Sequence, residues 1–229
     1  MIAELEWDSK FFRRKIGKLT EVPPENKLKK LIQQAYKVGY AYLTCRVIIE
    51  GMSKIQILED HGFYMTDIGL MWEKKIDEIL EPRILVRSAT VKDAPMLKSM
   101  VRGLFKDSRF YNDPFFIYEE AERFYQTWIE NMVRDREIET FLVEDSGFII
   151  CKKLSKNRGN IPLIGVISEK QGSGIGRSLI YKALNGFKKA GVKTVTVRTQ
   201  VNNIKAMNFY MGLGFRVRHV DVTMGLILD

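Results

Sequence analysis

The chain has few of the residues that cross-link proteins or ligate metals: two cysteines, two histidines and six prolines among 229 residues. Two cysteines cannot build a disulfide framework, and Cys45 and Cys151 both lie in apolar, strand-like runs, where a thiol acts as a small core residue. We therefore expect reduced cysteines, no metal site and a cytoplasmic protein. His61 is expected to be a surface or packing residue.

Long hydrophobic runs are also absent. No apolar run approaches the ~20 residues needed to span a bilayer, and residues 1–6 are acidic and lack the apolar core of a signal peptide. We expect no membrane association. Hydrophobic residues still make up 45% of the chain, so a packed core needs no disulfide bonds.

Acidic residues are outnumbered by basic ones, 28 to 37, which gives a net charge of +9. This charge suits a phosphate-bearing coenzyme, a nucleotide-diphosphate sugar or a nucleic acid. The lysines are scattered and no basic aromatic motif is present, which argues against nucleic acid. Most lysines are expected to form a solvated face.

The sequence divides into two predicted domains, 1–80 and 81–229, joined by a polar segment at 74–82. The first domain is predicted to be a small α/β unit with strands at 5–7, 18–22, 40–49 and 64–73 and helices at 26–38 and 53–60. Residues 57–63 echo residues 210–215. The echo indicates either a degenerate repeat or two ordinary helix–glycine–strand joints.

The second domain is predicted to start with a strand at 84–87. A helix at 90–105, an aromatic and charged loop at 106–116 and a helix at 117–133 follow. The remaining elements are a hairpin (140–144 and 148–154), a strand ending at Val166, a helix at 174–189, a strand at 194–199, a helix from Asn203 and two closing strands.

One stretch carries most of the chemical information. The apolar run 161–167 ends in a polar turn, followed by Gln171-Gly172-Ser173-Gly174-Ile175-Gly176 and a helical pattern. A strand, a glycine turn and a helix N-terminus in this order form an anion site, because the first-turn amides lack helical partners. A diphosphate is the natural ligand.

Three interpretations of these glycines compete. The dinucleotide fingerprint G-x-G-x-x-G requires a third glycine where this chain has Arg177. The coenzyme A signature Q/R-x-x-G-x-G/A is met at every position. The third interpretation is a plain glycine-rich turn.

A second motif lies downstream, Asn203-Ile204-Lys205-Ala206-Met207-Asn208-Phe209-Tyr210-Met211-Gly212-Leu213-Gly214-Phe215. Together the two motifs resemble the GNAT superfamily of N-acetyltransferases over about residues 84–228. The resemblance implies a mixed α/β sheet of the GNAT acyl-CoA N-acyltransferase type, with acetyl-CoA as the donor. It also implies a coenzyme-binding set: Ile164, Gly165, Val166, Gln171, Gly172, Ser173, Gly174, Ile175, Gly176, Arg177 and Asn203.

The same resemblance implies roles in catalysis. The strand at 164–166 is expected to splay from its neighbour, leaving a backbone N–H, that of Val166, to polarise the thioester carbonyl. Tyr210 is the expected acid, because a phenol of pKa ~10 is protonated at neutral pH and can donate to the leaving thiolate. An ordinary packing tyrosine is the alternative.

The general base is not evident in the sequence. Relatives that acetylate protein N-termini often carry a glutamate on the strand before the asparagine, but this chain reads Val197-Arg198-Thr199 there, which argues against a peptide acceptor. Glu144, Asp145, Glu169 and a water relay remain open as bases.

Residues 5–12, 108–110 and 124–131 resemble the TDP-fucosamine acetyltransferase branch of the superfamily. This implies transfer to the amino group of a nucleotide-linked amino sugar of the dTDP-4-amino-4,6-dideoxyhexose type. Arg109 is then expected to bind the diphosphate, with Phe110 and Tyr111 stacking on base or sugar. A small amine acceptor (polyamine, aminoglycoside or amino acid) and a non-catalytic acyl-CoA sensor are the alternatives.

A homodimer paired through a closing edge strand at 217–228 is a further hypothesis.

Overall fold

The structure, a computed structural model, describes residues 1–228. Its strands are β1 Ile2–Glu4, β2 Lys15–Leu19, β3 Tyr40–Ile48, β4 Tyr64–Lys75, β5 Arg87–Ser88, β6 Ile138–Val143, β7 Gly147–Lys153, β8 Arg158–Val166, β9 Thr194–Gln200 and β10 Arg216–Ile227. Its helices are α1 Glu6–Phe12, α2 Glu25–Lys37, α3 Met52–Glu59, α4 Ala94–Met100, α5 Arg109–Asn112, α6 Tyr118–Arg134, α7 Ile175–Lys189 and α8 Ile204–Gly212. Short 3₁₀ turns lie at Ile49–Gly51, Val91–Asp93 and Ser168–Lys170.

The strands form one mixed sheet in the order β1-β2-β3-β10-β4-β9-β8-β7-β6-β5. The pairs β2/β3 and β8/β9 are parallel and the others are antiparallel. This confirms the mixed α/β fold class. β10, from the second predicted domain, lies between β3 and β4 of the first. The proposed domain division stays a prediction, and any two such units share one sheet.

Helices cover both faces of the sheet. Phe141 and Ile149 pack into a core with Leu179 and Leu184 of α7. The next residues along the same strands, Leu142 and Ile150, pack with Phe124 and Ile129 of α6 on the other face, since neighbouring strand residues point to opposite sides. Across residues 1–228, no helix combines the length and apolar character that a bilayer crossing requires.

Several local predictions were wrong. The loop predicted at 106–116 contains the short helix α5, and the strand predicted at 84–87 is observed only as β5 at Arg87–Ser88. The strand predicted at 5–7 is instead the start of helix α1. The carboxylates of Glu6 and Asp8 lie in its first turn, where they stabilise the positive end of the helix dipole. The predicted helix at 90–105 ends as α4 at Met100 and continues as turns. The two closing strands are one long strand, β10.

The position of β10 also overturns the edge-strand hypothesis for a dimer. β10 pairs with β3 on one side and with β4 on the other. Because its hydrogen-bonding groups are used on both sides, it has no free edge to offer a second chain.

The two similar segments, residues 57–63 and 210–215, have the same local backbone geometry in the structure. The amide of Phe63 donates to the Leu58 carbonyl and that of Phe215 to the Tyr210 carbonyl, each at 3.0 Å. Both are helix ends closed over a glycine, and the strands that follow, β4 and β10, are antiparallel neighbours. A degenerate repeat stays a prediction.

Candidate active site

Strands β8 and β9 separate part-way along their length. They pair from Arg158 and Thr194 as far as Ile161 and Val197. The next residue of β8 is Pro162, which has no amide hydrogen and cannot extend the ladder. Beyond it, β8 stays paired with β7 as far as Val166, and β9 stays paired with β4 as far as Gln200. The sheet therefore opens between β8 and β9, as the resemblance implied.

The open edge of β8 carries free backbone groups. The amide of Ile167 donates to the carbonyl of Ser146 at 3.0 Å. Because residues of an antiparallel ladder alternate in direction, Gly165 then faces β7, whereas the N–H groups of Ile164 and Val166 face the opening. The carbonyl of Val166 accepts a hydrogen bond from Gln171 Nε2 at 3.1 Å.

Gly165 leaves room for neighbouring side chains rather than offering a free amide. A Cβ at Gly165 would lie 2.8 Å from Leu104 Cδ1 and 2.9 Å from Phe148 Cε1, closer than side chains tolerate. Its backbone groups face β7, so the predicted coenzyme contact of this residue does not run through its amide.

The glycine turn lies on the surface beyond the end of β8. Residues 171–174 are exposed, and Gly172 and Gly174 have φ values of +79° and +88°, which L side chains rarely adopt. Within residues 1–228, no backbone amide from Gly172 to Arg177 donates to another backbone group. An open cradle of amides at the start of α7 fits a diphosphate.

The rest of the predicted turn supports this cradle. Ile175 is buried and anchors the first turn of α7, whereas Arg177 is exposed. Ser173 Oγ donates to the carbonyl of Lys170 at 2.6 Å. A Cβ at Gly176 would lie 3.2 Å from the ring of Phe209 on α8, so this glycine lets α7 and α8 approach closely.

A cavity of about 540 Å³ lies at the gap between β8 and β9. One side includes Ile164 and Arg198 of the sheet with Asn203 and Tyr210 of α8, and the other includes Trp7, Asp8, Arg109 and Phe110. Gly165, Val166, the glycine turn and Tyr111 are not part of this lining. Residues about two hundred positions apart in the chain therefore face one space.

Tyr210 and Asn203 reach the cavity from α8. Tyr210 is only 2% exposed, with its ring packed against Trp72, Phe209 and Phe215. Burial raises its pKa above the ordinary phenol value, which keeps the hydroxyl protonated. The Oδ1 of Asn203 accepts from the amide of Ala206 at 3.0 Å as the cap of α8, so a ligand contact is left to its amide nitrogen.

Arg109 and Phe110 lie together on the cavity wall. The guanidinium donates to Thr44 Oγ1 at 3.2 Å and lies 3.7 Å from Asp8 Oδ2 and 4.6 Å from the centre of the Phe110 ring. Tyr111 lies elsewhere: its ring packs edge-on against Tyr118, with centres 5.2 Å apart.

A buried ionic network that the sequence does not predict lies beside the cavity. Arg198 donates to Asp67 at 2.8 Å and to Asp221 at 2.7 Å, and Arg46 lies 3.4 Å from Asp221. Burial, together with the nearby charge of Arg198, lowers the pKa of Arg46 to about 10. Asp67 is 131 residues from Arg198, and Asp221 lies on β10, which is separated from β9 by β4, so only the sheet order reveals the network.

Asp8 is a further carboxylate at this site that the sequence does not single out. It lines the cavity and lies within residues 5–12, which carry part of the family resemblance. The proposed bases Glu144, Asp145 and Glu169 do not line this cavity. Within residues 1–228, no group of His, Cys, Asp and Glu side chains is placed to hold a metal ion.

Comparison with known proteins finds similarity to one family of acetyltransferases. Residues 105–215 match the acetyltransferase (GNAT) family. The chain is 24% identical over 94% of its length to dTDP-fucosamine acetyltransferase from Escherichia coli O6:H1, covering 93% of that protein. It is 21% identical over 91% of its length to the spore coat polysaccharide biosynthesis protein SpsD of Bacillus subtilis, covering 76% of that protein.

The fold has counterparts among solved structures. A GCN5-related N-acetyltransferase from Sphaerobacter thermophilus superimposes with a TM-score of 0.68 and 14% identity, covering 100% of this chain and 76% of the other. At this identity the likeness concerns the fold alone.

Proposed function

Because the chain is a member of the GNAT family of acetyltransferases and resembles its dTDP-fucosamine acetyltransferase branch, we propose that it transfers acetyl from acetyl-CoA directly to the amino group of a nucleotide-linked amino sugar. The observation that carries the proposal is the cavity at the gap between β8 and β9, lined by Tyr210 on one side and by Arg109 on the other. One space thus joins a donor surface to an acceptor surface.

The donor surface consists of the glycine turn and the edge of β8. The bare amides between Gly172 and Arg177 bind the diphosphate of the coenzyme at the positive end of α7. The N–H groups of Ile164 and Val166 face the gap, where the coenzyme arm would lie. When bound, acetyl-CoA supplies a thioester activated for transfer, and the Val166 amide hydrogen-bonds its carbonyl oxygen as charge develops there.

The acceptor surface lies on the other side of the gap. Trp7, Phe124 and Trp128 line the cavity with apolar ring surface, and a few polar groups among them, including Arg109, provide orientation, as in many small-molecule sites. Arg109 binds the acceptor's diphosphate through its planar fork of donors. Tyr210, protonated and facing the cavity, gives its proton to the leaving thiolate.

The test combines binding with turnover. Calorimetry with acetyl-CoA measures donor binding, and thiol release is then followed over dTDP- and UDP-linked amino sugars, peptides and polyamines. We expect release with a dTDP-linked 4-amino-4,6-dideoxyhexose and none with peptides. Release with polyamines alone would identify a small-amine acetyltransferase, and binding without release from any acceptor would identify a sensor.

A further inference from the structure

Asp8 brings a carboxylate from the N-terminal part of the chain into the acceptor side of the cavity. It lies in the first turn of α1, beside Trp7, and both residues line the cavity together with Arg109. The aromatic rings of Trp7 and Phe124 meet edge to face, 4.9 Å between centres. This contact packs the start of α1 against α6, so the Asp8 carboxylate lies on a wall of packed side chains.

The carboxylate of Asp8 is held more loosely than that of Asp67, which also lines the cavity. Its oxygens accept no hydrogen bond within residues 1–228, and its ion-pair partner, Arg109, is 3.7 Å away. Asp67, by contrast, is bound by Arg198 at 2.8 Å. The Asp8 side chain is 17% exposed, so Asp8 keeps free oxygens that face the cavity.

An unpaired hydroxyl next to Arg109 indicates a polar ligand at the same wall. Ser108 is 5% exposed and lines the cavity, and its Oγ has no hydrogen bond within residues 1–228. The Tyr125 hydroxyl lies near it without reaching hydrogen-bond geometry. A buried hydroxyl without a partner is costly, and a ligand hydroxyl or amine at this position would remove the cost.

Charged and titratable groups from several elements line the cavity together with Asp8: Arg46 on β3, Asp67 on β4, Asp107 and Arg109 around the start of α5, Tyr125 on α6, Arg198 on β9 and Tyr210 on α8. Burial raises the pKa of Asp8, and Arg109 opposes this shift. A raised pKa makes the carboxylate a better proton acceptor near neutral pH.

We propose that Asp8 binds the acceptor's ammonium group and removes its proton, with Arg109 and Ser108 positioning the sugar around it. This inference rests on the proposed acetyl transfer. The ammonium nitrogen gives one proton to the Asp8 carboxylate, and the neutral amine then attacks the thioester carbonyl. The C–N bond forms and the C–S bond breaks. The sulfur takes a proton from Tyr210, and the second proton of the nitrogen returns to Tyr210.

The experiment compares Asp8→Asn with wild type across pH, using acetyl-CoA and a dTDP-linked 4-amino-4,6-dideoxyhexose. Wild-type kcat/KM should be flat between the pKa of Asp8 and that of the amine. In Asp8→Asn, kcat/KM should fall about 100-fold at pH 7 and rise about tenfold per pH unit, because the solvent must then deprotonate the amine. Asp8→Glu should restore part of the activity.

Glu6→Gln is the matched control, since Glu6 is exposed on the same helix and the change removes the same charge. It should retain the wild-type profile. Unaltered acetyl-CoA binding by Asp8→Asn, measured by calorimetry, would show that the variant is folded. Loss of that binding shifts the test to Asp8→Glu, whose kcat/KM should fall by less than about 100-fold below wild type while its pH profile stays flat, because a carboxylate base is retained.

The possible failures can be told apart. If wild type turns over and Asp8→Asn shows the same rate and pH profile, only the role of Asp8 is contradicted. Where Asp8→Asn does not fold, an unchanged rate and pH profile in Asp8→Glu has the same meaning. Absence of turnover by wild type with any acceptor contradicts the proposed function, and the role of Asp8 with it.

Discussion

Arg198 on β9 binds Asp221 on β10 through hydrogen bonds of 2.7 to 3.1 Å, although β4 lies between these two strands. The contact is possible because Gly69 of β4, opposite Asp221 in the sheet register, has no side chain. A Cβ on Gly69 would overlap the guanidinium. Since Asp221 is 1% exposed, this contact neutralises a buried charge.

Gly69→Ala should therefore destabilise the protein. The added methyl group displaces the Arg198 guanidinium and leaves Asp221 with only the more distant Arg46, so we expect the free energy of unfolding to fall by about 3 kcal/mol. Urea unfolding followed by circular dichroism measures the change. Gly212→Ala is the control, because a Cβ there meets nothing within 4 Å. Equal midpoints for the two variants would contradict this account of Gly69.

Gly174→Ala should weaken coenzyme binding. Gly174 has φ +88°, so alanine strains the turn that presents the amides of α7. We expect acetyl-CoA affinity, measured by calorimetry, to fall about tenfold, together with a loss of stability of about 1 kcal/mol.

Gly191→Ala separates these two effects. Gly191 has φ +79° with open space around it, but it follows the C-terminal end of α7, away from the turn. It should lose similar stability and keep its affinity for acetyl-CoA. Equal affinity losses in both variants would mean that the glycine turn does not bind the coenzyme.

The sequence predicted the features that are determined by residues close together in the chain. The glycine turn and α7 follow from Gln171–Gly176 and the helical pattern behind them, and the gap in the sheet follows from the family motif, with Pro162 at its origin. What it missed depends on strand order. β10 inserts between β3 and β4, and this brings Asp221 to Arg198. Likewise, nothing local to residue 8 indicates that α1 packs beside Arg109, some hundred residues later.

The capping box at the start of the second half should give the protein a defined acid sensitivity. Arg87 donates to Asp93 at 2.6 Å and the Thr90 amide donates at 2.7 Å. These contacts, that of Arg87 foremost, hold the pKa of Asp93 well below its usual range. A depressed folded-state pKa contributes stability above the unfolded value of about 4 and loses it as pH falls further.

Asp93→Asn should accordingly cost about 1 kcal/mol of unfolding free energy at pH 7. The difference from wild type should shrink as the pH falls from about 5 towards 2, because the Asp93 carboxyl of the unfolded wild-type chain takes up a proton in this range and the folded state does not. Urea unfolding at several pH values measures this. Asp60→Asn, at the exposed end of α3, should show no such trend. A constant difference for Asp93→Asn at all pH values would contradict the assignment.

Tyr210→Phe tests the proposed acid. Removing the hydroxyl leaves the ring in its packing position against Trp72 and Phe215, so the fold and acetyl-CoA binding should be retained. Without a proton donor for the thiolate, kcat should fall about 100-fold. Because burial raises the pKa of Tyr210, the wild-type phenol stays protonated and wild-type turnover should show no loss up to about pH 9. Tyr118→Phe, at a ring that is 52% exposed, should match wild type. Near wild-type turnover by Tyr210→Phe would make this residue a packing tyrosine, and another group would have to protonate the thiolate.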